Sequence, residues 1–318
     1  MYRHGNLEDE NFPLDQISEH LELEDAVVWV DMCAPDIEDL RLVADELGLH
    51  ALAVEDAVGE RQRPKLDHYA SHDFLSAYAV WLDIDTGELH SKEIAVFITK
   101  SALITVRKDE QFDIEQVVQR WDEAPDLNKF GVGALLYGLL DFVVDTHFAA
   151  VSSLDEQIEG IEDLLFDDRT PNSDVQRRSY ELRKSLVLLR RVTLPMREVV
   201  NTLMRRDTHV LRPELLPYYQ DVYDHVLRAT EWTESLRDLV QSILETNLTM
   251  QGNRLNVITK KVTGWAAVIA VPTAVTGFYG QNVPYPGFGH HSGFIASTAI
   301  IVVLSLLLYG IFRHNDWI

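Results

Sequence analysis

From residue 262 onward, apolar and charged positions stop alternating and the apolar ones run together in two blocks. Val262 to Gly280 (VTGWAAVIAVPTAVTGFYG) and Phe294 to Phe312 (FIASTAIIVVLSLLLYGIF) are each 19 residues long and hold no ionised side chain. At ~1.5 Å per residue, a helix of that length spans roughly 28 Å, about the hydrocarbon thickness of a bilayer. A soluble helix this long keeps one polar face, so the pattern predicts two transmembrane helices, 262–280 and 294–312. A turn-rich connection, 281–293 (QNVPYPGFGHHSG), joins them, and 313–318 follow.

The preceding chain reads differently. Ala26 to Asp31, Phe74 to Ile84, Ile94 to Thr99 and Ala102 to Arg107 are short runs rich in β-branched and aromatic residues, bounded by turn residues. Asp36 to Leu49 has helical spacing behind an Asp cap. Residues 1–110 are therefore expected to form an α/β domain, an αβα sandwich. From 111 to 217 the apolar positions recur every three or four residues, which predicts long helices, with Pro171, Pro195, Pro213 and Pro217 as punctuation. A further helix is expected from Tyr218 to the membrane, with 218–261 as its stalk. A rod of that length cannot be buried by its own small domain, so self-association is expected. The fold class is a helical membrane protein carrying an α/β domain ahead of its long helices.

Charge sharpens this division. The net charge is −23, and from residue 262 the only Lys, Arg, Asp or Glu are Arg313 and Asp316. All of the net charge thus lies in the first 261 residues, an acidity that fits divalent cations as partners and not nucleic acid. Lys260 and Lys261 precede the first span and Arg313 follows the second, while the connection has no Lys or Arg. The positive-inside rule then puts both termini in the cytoplasm. The N-terminus has no apolar core of a signal peptide. Cys33 is the single cysteine and is expected in the core. Asp155 to Asp168 carries seven carboxylates and Arg177 to Arg206 nine basic residues. Both read as solvated faces, or the first as a store of divalent cations. No HExxH, GxSxG or GxxxxGK[ST] motif appears, so neither an enzyme nor an organic cofactor is expected.

On a helical wheel, Asn256, Thr259, Thr263, Ala266, Ala270, Thr273, Gly277 and Gly280 form one stripe, all small or polar. Such a stripe suits a helix facing protein or water, either at a helix contact or in a pore wall. Its hydroxyls and the Asn256 amide favour the pore. Two spans cannot enclose water, so a pore needs several subunits. At the outer end, Gly280, Gln281 and Asn282 precede Pro284 and Pro286. A ring of Asn282 carboxamides suits a hydrated cation, though an Asn at a helix end also serves as a cap.

Three motifs carry a family resemblance. Tyr279 to Asn282 (YGQN) resembles the Gly-Met-Asn signature of the CorA family of magnesium and cobalt channels. Val54 to Tyr69 (VEDAVGERQRPKLDHY) resembles its QRPK segment, and Tyr218 to Leu227 (YYQDVYDHVL) the start of its stalk helix. The resemblance implies a homopentamer in the cell's inner membrane, surrounded by lipid. It implies uptake of Mg²⁺, and also Co²⁺ or Ni²⁺, through Gly280, Gln281 and Asn282, with polar rings at Asn256 and Thr273. It also implies Mg²⁺ sensing by Asp83 and Asp221 between subunits.

Three departures stand out. Gln281 replaces the family's Met, a position that also varies in the related ZntB zinc transporters, so proton-coupled zinc transport is the alternative. The outer loop lacks a carboxylate and the C-terminal segment lacks a basic cluster. His290 and His291 are adjacent in the outer loop, and neighbouring side chains on irregular backbone rarely converge on one metal.

Overall fold

The computed structural model describes residues 1–59, 63–166, 171–205, 210–281 and 284–318, except for the side chains of Asp15 and Asn172. It divides into two compact units, Met1–Ile243 and Leu244–Ile318.

In chain order the first unit contains β1 (Tyr2–Arg3), β2 (Asn6–Leu7), α1 (Ile17–Leu21), β3 (Ala26–Cys33), α2 (Ile37–Leu47) and α3 (Ala51–Val58). These are followed by β4 (Lys65–His68), β5 (Asp73–Leu82), β6 (Leu89–Ile98) and β7 (Ala102–Arg107). Helices α4 (Ile114–Glu123), α5 (Pro125–Asn128), α6 (Val132–Leu165) and α7 (Asn172–Arg205) come next, and α8 (Leu216–Tyr279) runs on into the second unit. The strands form one seven-stranded sheet in the order β2-β1-β3-β7-β6-β5-β4. The β3–β7 pair is parallel and the others are antiparallel.

Strand alternation sends the side chains to two cores. Val28, Val30, Phe74, Phe97 and Ile104 pack with Ile17, Leu40, Val43 and Val54 of α1–α3. Leu75, Ala77, Val96 and Leu103 pack on the other face with Trp121, Leu136, Leu140, Met196 and Val222 of α4, α6, α7 and α8. The result is an αβα sandwich. Asp36 caps α2 by accepting from the Glu38 and Asp39 amides at 2.9 and 2.8 Å, and Gly48 ends it in the left-handed conformation (φ +62°).

Cys33 corrects one expectation, for it is exposed. Along β3 the inward positions on one face are Ala26, Val28, Val30 and Met32, and the period of two puts Cys33 out of that set at the strand end.

Among the described residues, three helices are long and apolar enough to cross a membrane: Val132–Leu165, Pro213–Tyr279 and His291–His314. The most apolar stretch of the first is 61% buried inside the fold, against 6% and 0% for the other two. Helix α6 is thus apolar because it fills the core against β5.

The second unit holds the rest of α8 and α9 (His291–His314). Helix α8 continues through Pro272 without a break. After α9, Asp316 takes a left-handed conformation (φ +58°). The Trp317 amide donates to the Phe312 carbonyl at 2.8 Å, and its ring stacks on Phe312 at 5.4 Å.

Candidate functional site

In the second unit, coverage of α8 is one-sided. Gly264 is buried, and Ala267, Val268, Val271, Pro272, Val275 and Tyr279 are partly covered. Thr259, Thr263, Ala266, Ala270, Thr273, Gly277 and Gly280 are exposed, as is Asn256. At about 100° per residue these two sets fall on opposite sides of the helix. From Thr263 to Gly280 the small and polar stripe therefore lies on the side that its own unit leaves uncovered, while around Asn256 and Thr259 every residue of the helix is exposed.

Two hydroxyls in the outer part of α8, one on the stripe and one beside it, are already used as donors. Thr273 Oγ1 donates to the Ile269 carbonyl at 3.1 Å, and Thr276 Oγ1 to the Pro272 carbonyl at 2.8 Å. Each threonine oxygen is left with acceptor capacity, which suits a cation or its water shell.

Helix α8 ends tightly. The Gly280 amide donates to the Thr276 carbonyl at 2.8 Å and the Gln281 amide to the Phe278 carbonyl at 3.3 Å. A Cβ at Gly280 would lie 2.8 Å from the Thr276 oxygen, so glycine fits this turn and a side chain would force it apart. Gln281 is exposed, and Asn282 lies outside the described residues.

Beyond it, the Tyr285 hydroxyl donates to the Tyr279 carbonyl at 3.0 Å, and its ring meets Tyr279 at 4.9 Å and Phe288 at 5.3 Å. Gly280, Tyr285, His290 and His291 border a cavity of about 640 Å³. His290 Nδ1 sits 3.1 Å from the Phe288 carbonyl of its own loop.

Metal-ligating side chains gather in the first unit. Asp141, Asp145 and His225 are the one group of three among the described residues whose ligand atoms all lie within 4.8 Å of one another. Asp141 and Asp145 are one turn apart on α6, and Asp221 and His225 one turn apart on α8, so each pair shares a helix face. His225 Nδ1 lies 3.8 Å from Asp221 Oδ2.

Arg120 of α4 closes the group. One guanidinium nitrogen donates to Asp141 Oδ2 and another to Asp145 Oδ2, both at 2.7 Å. Partial burial raises the Asp141 carboxyl above its usual range; Asp145 and Asp221 add to this, and Arg120 and His225 oppose it. A cavity of about 350 Å³ lined by Arg120, Trp121, Tyr137 and Asp141 opens beside it.

The donor set fits the cations in question, since carboxylates suit Mg²⁺ and an imidazole adds affinity for Co²⁺. The sequence singled out Asp221, which lies beside His225 but outside that group of three. Asp141, Asp145 and His225 were not singled out, although two carboxylates spaced by four within the apolar run of α6 were a signal.

Asp83 lies elsewhere, in the turn between β5 and β6. It accepts from the Asp85 and Thr86 amides at 2.9 and 3.2 Å, and these bonds, Thr86 first, hold its carboxyl below the usual range. The run from Asp155 to Asp163 occupies the end of α6 with no such convergence, and Asp167 and Asp168 lie outside the described residues.

Comparison with known proteins is consistent across the chain. The model of the family described as CorA-like Mg²⁺ transporter protein matches residues 24–314. The cobalt/magnesium transport protein CorA of Thermotoga maritima is 26% identical over 294 residues, covering 91% of this chain and 83% of that one. The putative metal ion transporter YfjQ of Bacillus subtilis is 28% identical over 308 residues, covering 96% and 94%. The structure of the CorA magnesium transporter from Methanocaldococcus jannaschii superposes with a TM-score of 0.76 at 23% identity, covering 93% of each chain. The family is one of transporters and not of enzymes. With five of the seven strands, the long helices and the two terminal apolar helices inside that one match, the chain belongs to the CorA-like Mg²⁺ transporter family.

Proposed function

We propose that this chain is one subunit of a passive channel that takes up Mg²⁺, with Co²⁺ and Ni²⁺ as lesser substrates. The observation that carries this reading is the uncovered polar stripe of α8, opposite the side its own unit covers. Several copies, five by the family resemblance, would turn these stripes toward a common axis and enclose a wet path in lipid. Gly280, Gln281 and Asn282 form its outer filter. Mg²⁺ holds its water tightly, so amides and hydroxyls act on the hydrated ion.

Uptake needs no ATP. With both termini in the cytoplasm of the inner membrane, an inside-negative potential supplies ~2.3 kcal/mol per charge per 100 mV, roughly 4.6 for a divalent ion.

The cytosolic unit senses the product. Asp141, Asp145, Asp221 and His225 form the regulatory site, with Asp83 of a neighbouring copy as a further carboxylate. A bound divalent ion supplies the charge that lets these carboxylates sit together. Asp221 and His225 stand near the start of α8, and the pore stripe is carried by the same helix. Filling the site holds the α8 helices together and the pore closed; emptying it lets them separate.

The test is Mg²⁺ influx into proteoliposomes under an imposed inside-negative potential with no pH gradient. Flux that vanishes in Asn282→Ala supports a channel with its filter at this turn. Absence of flux in folded wild-type protein, with zinc flux recovered under a proton gradient, would replace this reading by the zinc one.

A further inference from the structure

We infer that Arg120 is a tethered cation that competes with divalent ions for the Asp141, Asp145 and His225 group, and so sets the concentration at which that group fills. The inference rests on reading the group as the regulatory site.

The guanidinium holds carboxylate oxygens that a metal ion would need. It uses Oδ2 of both Asp141 and Asp145, at 2.7 Å each. The ligand atoms of these two and His225 lie within 4.8 Å of one another, near enough for one cation to draw them together. A divalent ion bound there would stand within a few ångströms of the guanidinium, and like charges at that range repel strongly at partial burial. Arginine's planar fork matches paired carboxylates better than an ammonium does.

The side chain can leave without unfolding anything. Arg120 and Asp145 are 35% and 49% exposed, so their contact is open to water. In the same pose the guanidinium lies 5.1 Å from the centre of the Phe142 ring, a contact that does not depend on the carboxylates. Its backbone, by contrast, is fixed. The next residue, Trp121, is 1% exposed and donates from Nε1 to the Leu135 carbonyl at 3.0 Å. Divalent binding is then an exchange of a protein cation for a dissolved one. With no divalent ion bound, Arg120 bridges the two carboxylates, and the group fills only when the ion outcompetes it.

The test is Co²⁺ titration of the full chain in detergent, followed by calorimetry and by visible absorption, which reports the His225 nitrogen. Arg120→Gln is expected to bind Co²⁺ about tenfold tighter than wild type, and Arg120→Lys to fall between them, because it keeps the charge and loses the fork. A residue that only braced α4 would give equal or weaker binding in both variants, and that result overturns the inference. If Asp141→Asn and Asp145→Asn bind Co²⁺ as wild type does, the regulatory-site reading fails and this inference with it. If they lose the ion while Arg120→Gln leaves affinity unchanged, the site stands and Arg120 has no part in setting it.

Discussion

Ile318 packs over Gly264: a Cβ at position 264 would stand 2.9 Å from Ile318 Cγ1 and 3.2 Å from its Cδ1. The glycine is buried although both its neighbours are exposed, and Trp317 is stacked on Phe312 beside it. Because the crowding atoms belong to a side chain able to yield, Gly264→Ala is expected to cost under about 1 kcal/mol. Gly264→Leu should displace Trp317 and Ile318. A red shift in Trp317 emission in the second variant but not the first, in a protein whose other tryptophans are replaced by Phe, checks this.

His147 is wholly buried on α6. Its Nε2–H donates to the Tyr78 carbonyl at 2.7 Å, Nδ1 has no partner, and burial pushes its pKa down to about 4. The unfolded chain titrates near 6.5, so it takes up a proton that the folded state refuses. Stability is complete above about pH 6.5 and falls as pH drops toward 4, by about 2 kcal/mol at pH 5. His147→Gln keeps a donor for Tyr78 and does not titrate. Its melting temperature should fall less than that of wild type between pH 7 and pH 5.

Gly138 admits the Trp121 indole. A Cβ there would lie 2.5 Å from Trp121 Nε1 and 2.7 Å from its Cδ1, so the buried ring would have to shift. Gly138→Ala is expected to destabilise the protein by about 2 kcal/mol and to break the bond from Trp121 to the Leu135 carbonyl. Denaturant unfolding followed by tryptophan fluorescence would show both effects.

Regulation should respond to charge at the cluster. Asp141→Asn and Asp221→Asn each remove one carboxylate from the proposed site, so about tenfold more internal Mg²⁺ should be needed to stop flux. Asp83→Lys and Asp221→Lys should each weaken inhibition further by placing a fixed cation there. Flux measured against Mg²⁺ loaded inside the liposomes reads this out, and unchanged inhibition in all four variants would remove the cluster from gating.

The sequence by itself determined the membrane-capable helices, the α/β character of the first unit and the polar stripe of α8. Each of these is periodic or compositional. Val262 to Gly280 holds no ionised side chain, Ala102 to Arg107 is a buried β-branched run that the structure returns as β7 with the same ends, and Thr263, Ala266, Ala270 and Thr273 repeat at helical spacing. Only the tertiary structure decided that the apolar α6 belongs to a core, because a buried helix and a membrane helix differ in what covers them and not in hydropathy. It also decided that Cys33 is exposed, through the phase of β3. Above all, it assembled the cation group: Arg120, Asp141 and His225 are far apart in the chain and meet because α4, α6 and α8 pack on one face of the sheet. Spacing within a helix can place two ligands on a face; the third comes from whichever helix packing brings alongside.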